Sequence, residues 1–468
     1  MKKVVLSAVA AMLVSGVASA DALTLFTDPK TGQVYTTAGE GRIEMGDFIS
    51  AKDVDISQRE SESAFSEYKD AQKKYVNVKS KAKTLEFSGT HYLGFTSVDP
   101  QTKVDTATAN SNYQGRSSGF EMRRNYVQVK AFINDKDYVR VTMDSTKELA
   151  SSVGTTQDGS DLKTSQGGGY ADVFIKYAYL YLDKVLPYTG VEAGIVHRPW
   201  IDYEEHNSWH YRSFNKVFLE EKGTATESGV DLVNSADFGV NFKTKTPMFS
   251  SEIGIFNGEG YHADKTAGNQ ENSSQLSAEW RLTGHILGDG TKVGKNDRTK
   301  DTYLNVSTYG LISNNHKDDD VDLGGAGDFN EYDRTFYGLH AVYNQPAFLI
   351  AAQYFTAKDD KRTQDLATTF DTKEYTGWSV NAEVRPIADW TVIGRYDNYK
   401  IESELNGAIN SNIEGDKIIA GLAYKMNKNV SFIGSAKFID EKDTKVTLKS
   451  EDTGESKNVY MLTTELKW

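Results

Sequence analysis

The sequence predicts an all-β fold: a transmembrane antiparallel β-barrel of about 16 strands, with short periplasmic turns and long extracellular loops. In most of the chain apolar residues recur at every second position, as at Trp378, Val380 and Val384, which is typical of strands with one apolar face. The links between these segments alternate between short and long. Aromatic residues at segment ends fit the girdles that such barrels place at both membrane interfaces. The predicted girdle residues are Tyr309, Tyr343, Tyr354, Trp378, Trp390 and Tyr424.

The alternation divides the chain into segments with regular spacing. They start near residues 85, 119, 137, 170, 190, 234, 249, 274, 301, 334, 347, 375, 390, 416, 430 and 457. Short links are 133–137, 243–248, 344–347, 386–389 and 427–429. The long links are rich in Gly, Asp, Asn, Ser, Thr and Lys and cover roughly 98–118, 149–169, 199–230, 258–273, 314–333, 359–373, 402–415 and 442–456. The link at 286–299 should be short by this alternation but is long. A soluble β-sandwich or solenoid is the alternative, but it does not explain why long loops lie at one end only.

Residues 1–20 predict a secretory signal peptide, because Lys2 and Lys3 precede a short apolar run that ends in small residues at 18–20. Composition fits an exported barrel. The chain of 468 residues has no cysteine and a formal net charge of -13. The lack of cysteine excludes a disulfide scaffold, and the acidic balance argues against nucleic acid as a partner.

Residues 21–83 predict a periplasmic segment that precedes a barrel over 84–468. The sequence DPKTGQ within it predicts the turn of a hairpin. The following stretch has helical composition, and four of its residues fall on one helical face, which leaves open a single helix or a short coiled coil. These four residues are Phe65, Tyr68, Gln72 and Tyr75.

The last segment, 458–468, alternates like the others, with Tyr460, Leu466 and Trp468 on its apolar face. We expect this strand to close the barrel against the first one, because an open edge has no hydrogen-bond partners in lipid. Its aromatic final residue resembles the C-terminal assembly signal of bacterial outer-membrane proteins, which usually ends in Phe. We therefore predict an assembly signal at Tyr460, Leu466 and Trp468. The expected location is the outer membrane of a Gram-negative bacterium, in contact with its lipid and lipopolysaccharide.

The three stretches 120–144, 191–221 and 254–260 resemble motifs of the phosphate-selective porin O and P family. Residues 120–144 (FEMRRNYVQVKAFINDKDYVRVTMD) resemble the paired-arginine hairpin of that family, and 254–260 (GIFNGEG) match its segment of Gly, any residue, Phe, Asn, Gly, any residue and Gly. The stretch 191–221 matches a third motif at Gly194, Pro199, Phe218 and Glu220. The resemblance implies a sixteen-stranded barrel and a homotrimer.

The chain departs from the family pattern at three positions in the third motif. Arg198 stands for the usual Lys, Trp200 for Phe, and Glu221 for Arg. An oxyanion pore needs bases with few acids nearby, and this stretch mixes both charges. Phosphate selectivity is therefore not expected.

The link 199–230 is the longest in the chain, and it contains six aromatic residues between 200 and 218. We expect part of it to pack against the inner wall, so that acids face bases across a constriction. The predicted pore-lining residues are Arg124, Arg140, Arg198, Asp202, Glu204, Glu205, Arg212 and Lys216. The alternation also points Lys130, Asp144, Lys176, Glu383 and Arg385 inward, and a β-bulge near Asn125 would reconcile the two faces of its strand. The alternative is a polar lumen whose charges are simply solvated.

These features predict a porin that lets ions and small polar solutes diffuse through a water-filled, charge-lined pore, without catalysis and without a cofactor. A structural or adhesive barrel with a plugged lumen is the alternative, and a barrel lipase is a minor one. His197, His206 and His210 near Glu204 could suggest a metal site, but no third ligand is fixed, so no metal is predicted. The acidic stretch 318–325 departs from the register of a calcium loop.

Overall fold

The computed structural model divides the chain into two units, Met1–Lys81 and Ala82–Trp468. It describes residues 23–48, 82–100, 117–146, 172–221, 226–258, 260, 276–317, 331–361, 371–445, 451–452 and 455–468. The predicted signal peptide, the predicted helix and the acidic stretch 318–325 lie outside these residues. Within the described ranges, no helix has the length and apolar character needed to cross a membrane.

The first unit contains a small antiparallel sheet in the order β2-β1-β3. Its strands are β1 (Leu23–Thr27), β2 (Val34–Tyr35) and β3 (Ile43–Phe48). The turn between β1 and β2 is stabilised by Asp28, whose carboxylate accepts hydrogen bonds from the Lys30 amide at 2.8 Å and the Thr31 hydroxyl at 3.0 Å. Gly32 follows with a φ of 69°, a left-handed conformation that favours glycine.

The second unit is a closed antiparallel barrel, as the sequence predicts. Each strand pairs with the next, and the last pairs with the first. The strands are β4 (Thr84–Pro100), β5 (Ser117–Phe132), β6 (Tyr138–Thr146), β7 (Asp172–Leu186), β8 (Thr189–His197), β9 (Ala236–Lys245), β10 (Phe249–Phe256), β11 (Ser277–Leu287), β12 (Tyr303–Lys317), β13 (Glu331–Gln345), β14 (Phe348–Lys361), β15 (Thr372–Ile387), β16 (Trp390–Leu405), β17 (Ala408–Lys425), β18 (Val430–Lys445), β19 (Glu451–Asp452) and β20 (Glu455–Lys467). The two-residue β19 pairs with the end of β18, the same strand that pairs with β20, so it does not count as a separate strand of the barrel. The described barrel therefore has the sixteen strands predicted.

One predicted long link is wrong. The stretch 402–415 was expected to form a loop, but β16 and β17 continue through it to a two-residue turn at Asn406 and Gly407. Both turn residues have positive φ, 54° and 73°, as a type I′ turn requires. The strand β17 therefore begins at Ala408, eight residues before the predicted start.

The strands place apolar residues outward and polar ones inward with period two. In β15, Trp378 and Val384 are 39% and 51% exposed, whereas the intervening Ser379, Asn381 and Glu383 are buried inside the barrel. Five of the six predicted girdle aromatics lie on the outer face. Tyr309 does not: it is fully buried and its ring stacks on a tryptophan inside the barrel. Because β12 carries apolar residues on both faces, the alternation does not show whether Tyr309 points outward or into the barrel.

Two β-bulges turn additional basic side chains into the lumen. Between β4 and β5, Tyr92 pairs with Arg124 and Leu93 with Met122, which leaves Arg123 as the extra residue. Arg123 and Arg124 are both buried inside the barrel, which confirms the bulge predicted near Asn125. Between β6 and β7 the extra residue is Lys176, which is 1% exposed.

Trp468 joins the last strand to the first. Its backbone exchanges two hydrogen bonds with Gly89, at 3.0 and 3.1 Å. Its indole N–H donates to Nε2 of His91 at 2.7 Å, and the two rings are nearly parallel. A Cβ atom on residue 89 would lie 2.5 Å from the indole ring, so glycine is required for this contact.

We predict that Trp468→Ala reduces the yield of folded, heat-modifiable barrel while export continues, because the seam between β4 and β20 loses its ring contacts. Electrophoretic mobility with and without heating measures the folded fraction. Trp390→Ala is the matched control, since Trp390 also lies on the outer face, 38% exposed, but away from the seam. Equal folded fractions for both variants would contradict this role of Trp468.

Candidate pore constriction

The link between β8 and β9 returns into the barrel. We call residues 198–235 the inserted segment; within it, 222–225 are not described. It begins with the helix α1 (Pro199–Asn207), which Pro199 can start because an N–H at that position would have no helical partner. A 3₁₀ turn at Phe218–Glu220 follows.

One side of the inserted segment forms an apolar core with the inner wall of the barrel. Trp200 stacks on Tyr309 with ring centroids 3.6 Å apart and an interplanar angle of 11°. Phe218 meets Phe355 edge to face at 5.4 Å. The wall residues of this core are Tyr309, Leu311, Phe336, Phe355, Tyr375, Ile393, Tyr399, Ile419, Ile433 and Val459. Because burial of a large apolar side chain contributes about 1.5–3 kcal/mol, this side of the lumen is firmly filled.

Buried charges fix the second half of the inserted segment to the same wall. Glu221 pairs with Lys417 and with Arg395, the latter at 2.8 Å. Asp397 completes the group at 2.7 Å from Arg395 and 3.0 Å from Lys417. These four side chains, which we call the anchor cluster, are at most 1% exposed. Removing one member of such a group would leave an uncompensated buried charge.

The opposite side of the inserted segment faces a polar cavity of about 320 Å³, bounded by β4–β8. We call it the central cavity. Arg140 of β6 and Lys176 of β7 contribute bases from the wall, whereas Asp202 and Glu205 contribute acids from α1. Acids and bases therefore face each other across the space. Its charged and histidine lining residues are Arg140, Lys176, His197, Asp202, Glu205, His206, His210, Arg212 and Lys467.

The acids at this cavity are partly neutralised by nearby cations. Arg212 pairs with Glu205 and, through a second nitrogen at 2.7 Å, with Glu220. Asp202 lies 3.5 Å from Lys243 and 3.3 Å from His206. Burial opposes ionisation of Glu220, but the Arg212 guanidinium outweighs it and lowers the pKa of Glu220 to about 2. Glu220 is therefore ionised at neutral pH.

Four of the eight predicted pore residues line the central cavity: Arg140, Asp202, Glu205 and Arg212. The other four are paired elsewhere. Arg124 lies 3.4 Å from Asp144 of the wall, Arg198 donates to Glu279 at 2.9 Å, and Lys216 is 3.0 Å from Glu227. The fourth, Glu204, accepts from Gln353 at 2.6 Å on the apolar side of α1.

Glu204 differs from its neighbour Glu205 because it is 2% exposed and turned toward β14. Burial raises the pKa of Glu204 to about 7. This carboxyl is therefore only partly ionised at neutral pH, and Glu204 carries less negative charge than an exposed glutamate.

Several residues at this site are not among the eight predicted pore-lining residues. Lys176 was expected to point inward, but the bulge that places it beside Tyr177 has no clear sequence signal. His197, His206 and His210 all line the central cavity. Among the described residues, no three His, Cys, Asp or Glu side chains are arranged to hold a metal ion.

Two further cavities lie toward the end of the barrel with the short turns, and both include His206. The larger, about 790 Å³, is lined by strands β5–β9, and the smaller, about 390 Å³, by β15–β18 and β20. Basic side chains outnumber acidic ones in all three cavities. The central cavity is lined by four basic and two acidic side chains, the larger cavity by seven basic and four acidic ones, and the smaller cavity by five basic and three acidic ones. The linings of these cavities are thus basic although the whole chain is acidic.

Fold and site together define a closed sixteen-stranded barrel of the outer-membrane type, with a segment of chain folded into its lumen. No family model matches the chain, and no curated protein matches its sequence.

Several solved outer-membrane proteins share this fold with the chain. The trimer form of OmpT from Vibrio cholerae has a TM-score of 0.52 at 12% identity, over 82% of this chain and 99% of that one. In-vitro folded OmpT from the same organism has a TM-score of 0.50 at 14% identity, over 84% of this chain and 99% of that one. An anion-selective porin from Comamonas acidovorans has a TM-score of 0.49 at 10% identity, over 82% of this chain and 99% of that one. At these identities the two OmpT structures show a likeness of fold alone, and nothing further is drawn from the Comamonas porin.

Proposed function

We propose that the protein is an outer-membrane porin of a Gram-negative bacterium, which lets ions and small polar solutes diffuse without catalysis or a cofactor. The main support is the two-sided inserted segment. Its apolar side fills part of the lumen, and its charged side leaves a polar cavity open against β4–β8. Fixed charges of both signs around a narrow water-filled space are typical of a diffusion channel.

The channel would prefer small anions to cations. All three cavities carry more bases than acids, and Arg212 further compensates Glu205 in the central one. The excess comes from scattered Lys and Arg with acids among them, so it supports a general anion preference and not a phosphate site. The motif resemblance supports a relationship to the phosphate-selective porin O and P family and a homotrimer in contact with lipid and lipopolysaccharide.

Planar-bilayer recording of the purified protein tests this proposal. A porin gives stable current steps, and in a salt gradient the reversal potential should take the sign of an anion-preferring pore. Steps with a cation-preferring reversal potential would contradict the selectivity, and the absence of steps would contradict the porin.

A plugged structural or adhesive barrel is the second candidate, and the apolar core inside the lumen favours it. In that case current steps should be absent from the wild type and should appear only when the inserted segment is released from the wall. The same recording therefore separates the two functions.

Neutralising both acids of the central cavity, Asp202→Asn with Glu205→Gln, should strengthen the anion preference. A unit charge about 8 Å away in water contributes about 0.5 kcal/mol. Loss of two therefore lowers the energy of an anion by about 1 kcal/mol and raises that of a cation by as much, which should raise the anion-to-cation permeability ratio about thirtyfold. The effect should be largest at about 0.01 M salt, where the Debye length is about 30 Å.

Glu204→Gln is the control for this experiment, because Glu204 is buried away from the cavity and is only partly ionised. Its reversal potential should match the wild type. If the double variant also matches the wild type at low salt, Asp202 and Glu205 do not border the conducting path.

A further inference from the structure

The link between β11 and β12 is long where the alternation of links requires a short one, and the porin function alone does not account for it. It begins with a 3₁₀ turn at Gly290–Lys292. The Asp289 carboxylate caps this turn by accepting from the Thr291 amide at 2.9 Å and from its hydroxyl at 2.7 Å. Gly294 then reverses the chain with a φ of 73°. We call residues 288–302 the strut.

The strut folds into the mouth of the barrel. Val293 is 4% exposed and belongs to the apolar core that the inserted segment forms with the wall. Its carbonyl oxygen accepts a hydrogen bond of 2.9 Å from Lys245 of β9. The Gly290 amide donates to Pro247 at 2.8 Å in the neighbouring turn. The first half of the strut is therefore held on the β9 side of the mouth.

Arg298 holds the second half on the opposite side. Its guanidinium donates to the Tyr211 hydroxyl at 3.2 Å and to the Glu383 carboxylate at 2.8 Å. The side-chain amide of Asn344 donates to the carbonyl oxygens of Arg298 at 3.0 Å and Asp301 at 2.7 Å. Through these contacts the strut bridges the inserted segment, β13 and β15.

The position of the strut divides the space at this end. Thr291, Val293, Gly294 and Lys295 line the larger cavity, whereas Gly294, Asn296, Asp297, Arg298 and Thr299 line the smaller one. Gly294 belongs to both, so it lies at the boundary between them. Each compartment has its own excess of basic side chains.

We propose that the strut divides the periplasmic mouth into two basic exits and limits the size of the anions that leave the channel, with Arg298 as its positioning residue. This inference rests on the proposed porin function. The strut adds a size limit at the periplasmic end, separate from the charge selection at the central cavity.

The test compares three variants of the full chain in planar bilayers. Replacing the strut by Asn-Gly should increase single-channel conductance and admit polyethylene glycols that the wild type excludes. Arg298→Ala should change both in the same direction by a smaller amount. Lys300→Ala is the matched control, because its side chain is 79% exposed and pairs only with Asp297 of the strut in the described structure; it should behave as the wild type.

A second measurement does not depend on conduction. Because the chain has no cysteine, Thr391→Cys places a single thiol at the smaller cavity, which Thr391 lines. A bulky maleimide should label it faster when Arg298→Ala is added, and at the original rate when Lys300→Ala is added. The proposed role of the strut would be wrong if the wild type conducts and the folded strut variants show unchanged polyethylene glycol exclusion and unchanged maleimide labelling. A wild type without current would contradict the porin function. The labelling rates would still show whether the strut restricts access to the smaller cavity.

Discussion

Replacing Glu221 by Gln is expected to release the second half of the inserted segment from the barrel wall and to increase single-channel conductance. Lys417 and Arg395 would then share the single carboxylate of Asp397 in a site that is at most 1% exposed. Breaking a buried ion pair by removing one partner costs about 3–5 kcal/mol. Most of this cost is avoided if the segment moves away and water reaches the two cations, so the barrel should persist while the segment undocks.

Two measurements check this expectation in Glu221→Gln. Single-channel recording should show a larger and noisier current than the wild type, and limited proteolysis should cleave within 208–235 while the barrel stays heat-modifiable. Lys417→Met added to Glu221→Gln is the matched control, because it removes the opposite charge and leaves Arg395 with Asp397. It should restore much of the wild-type current and protease resistance. Wild-type behaviour of Glu221→Gln alone would show that the anchor cluster does not hold the segment.

The sequence predicts the barrel well because each strand carries its own evidence. Alternation and link length are local, so fifteen of the sixteen strand starts fall within a few residues of their predicted positions. The start of β17 fails because Asn406 and Gly407 form a tight turn where a long loop was expected. An Asn-Gly pair between alternating residues is the usual signal of a hairpin, and here it was outweighed by the polar residues around it.

The site is less predictable because its contacts connect distant parts of the chain. The density of aromatic residues correctly predicts that the segment after β8 enters the barrel. Nothing local, however, indicates that Glu221 meets Lys417, which lies 196 positions later. Glu204 and Glu205 look equivalent in the sequence, yet helical geometry directs one to the apolar core and the other to the cavity. Tyr309 looks like a girdle residue only while its partner Trp200 is unknown.

The two halves of the inserted segment share one apolar core but differ in their buried charges, which predicts different failures. The second half depends on the anchor cluster, whose charges need their partners. The first half depends mainly on aromatic packing around α1, and the ion pair of Arg198 with Glu279 precedes this helix. Loss of an aromatic contact should therefore loosen α1 without opening the distal half.

Trp200→Ala is the substitution that tests the first half. Trp200 is 2% exposed, stacks on Tyr309 at 3.6 Å and meets His340 edge to face at 5.0 Å. Truncating a buried tryptophan costs about 3–5 kcal/mol, so α1 should become more mobile. Because α1 carries Asp202 and Glu205 into the central cavity, we expect large current fluctuations and a weaker dependence of the reversal potential on these two acids.

Bilayer recordings of Trp200→Ala, Trp200→Phe and Trp378→Ala distinguish this effect from a general loss of stability. Phenylalanine can still stack on Tyr309, so Trp200→Phe should stay close to the wild type. Trp378 is 39% exposed on the outer face, and its removal should leave the current quiet. Aromatic pairs contribute about 0.5–1.5 kcal/mol beyond buried area, so Tyr309→Ala should reproduce part of the noise and add little when combined with Trp200→Ala. A quiet, wild-type current from Trp200→Ala would show that α1 is held in place without this stack.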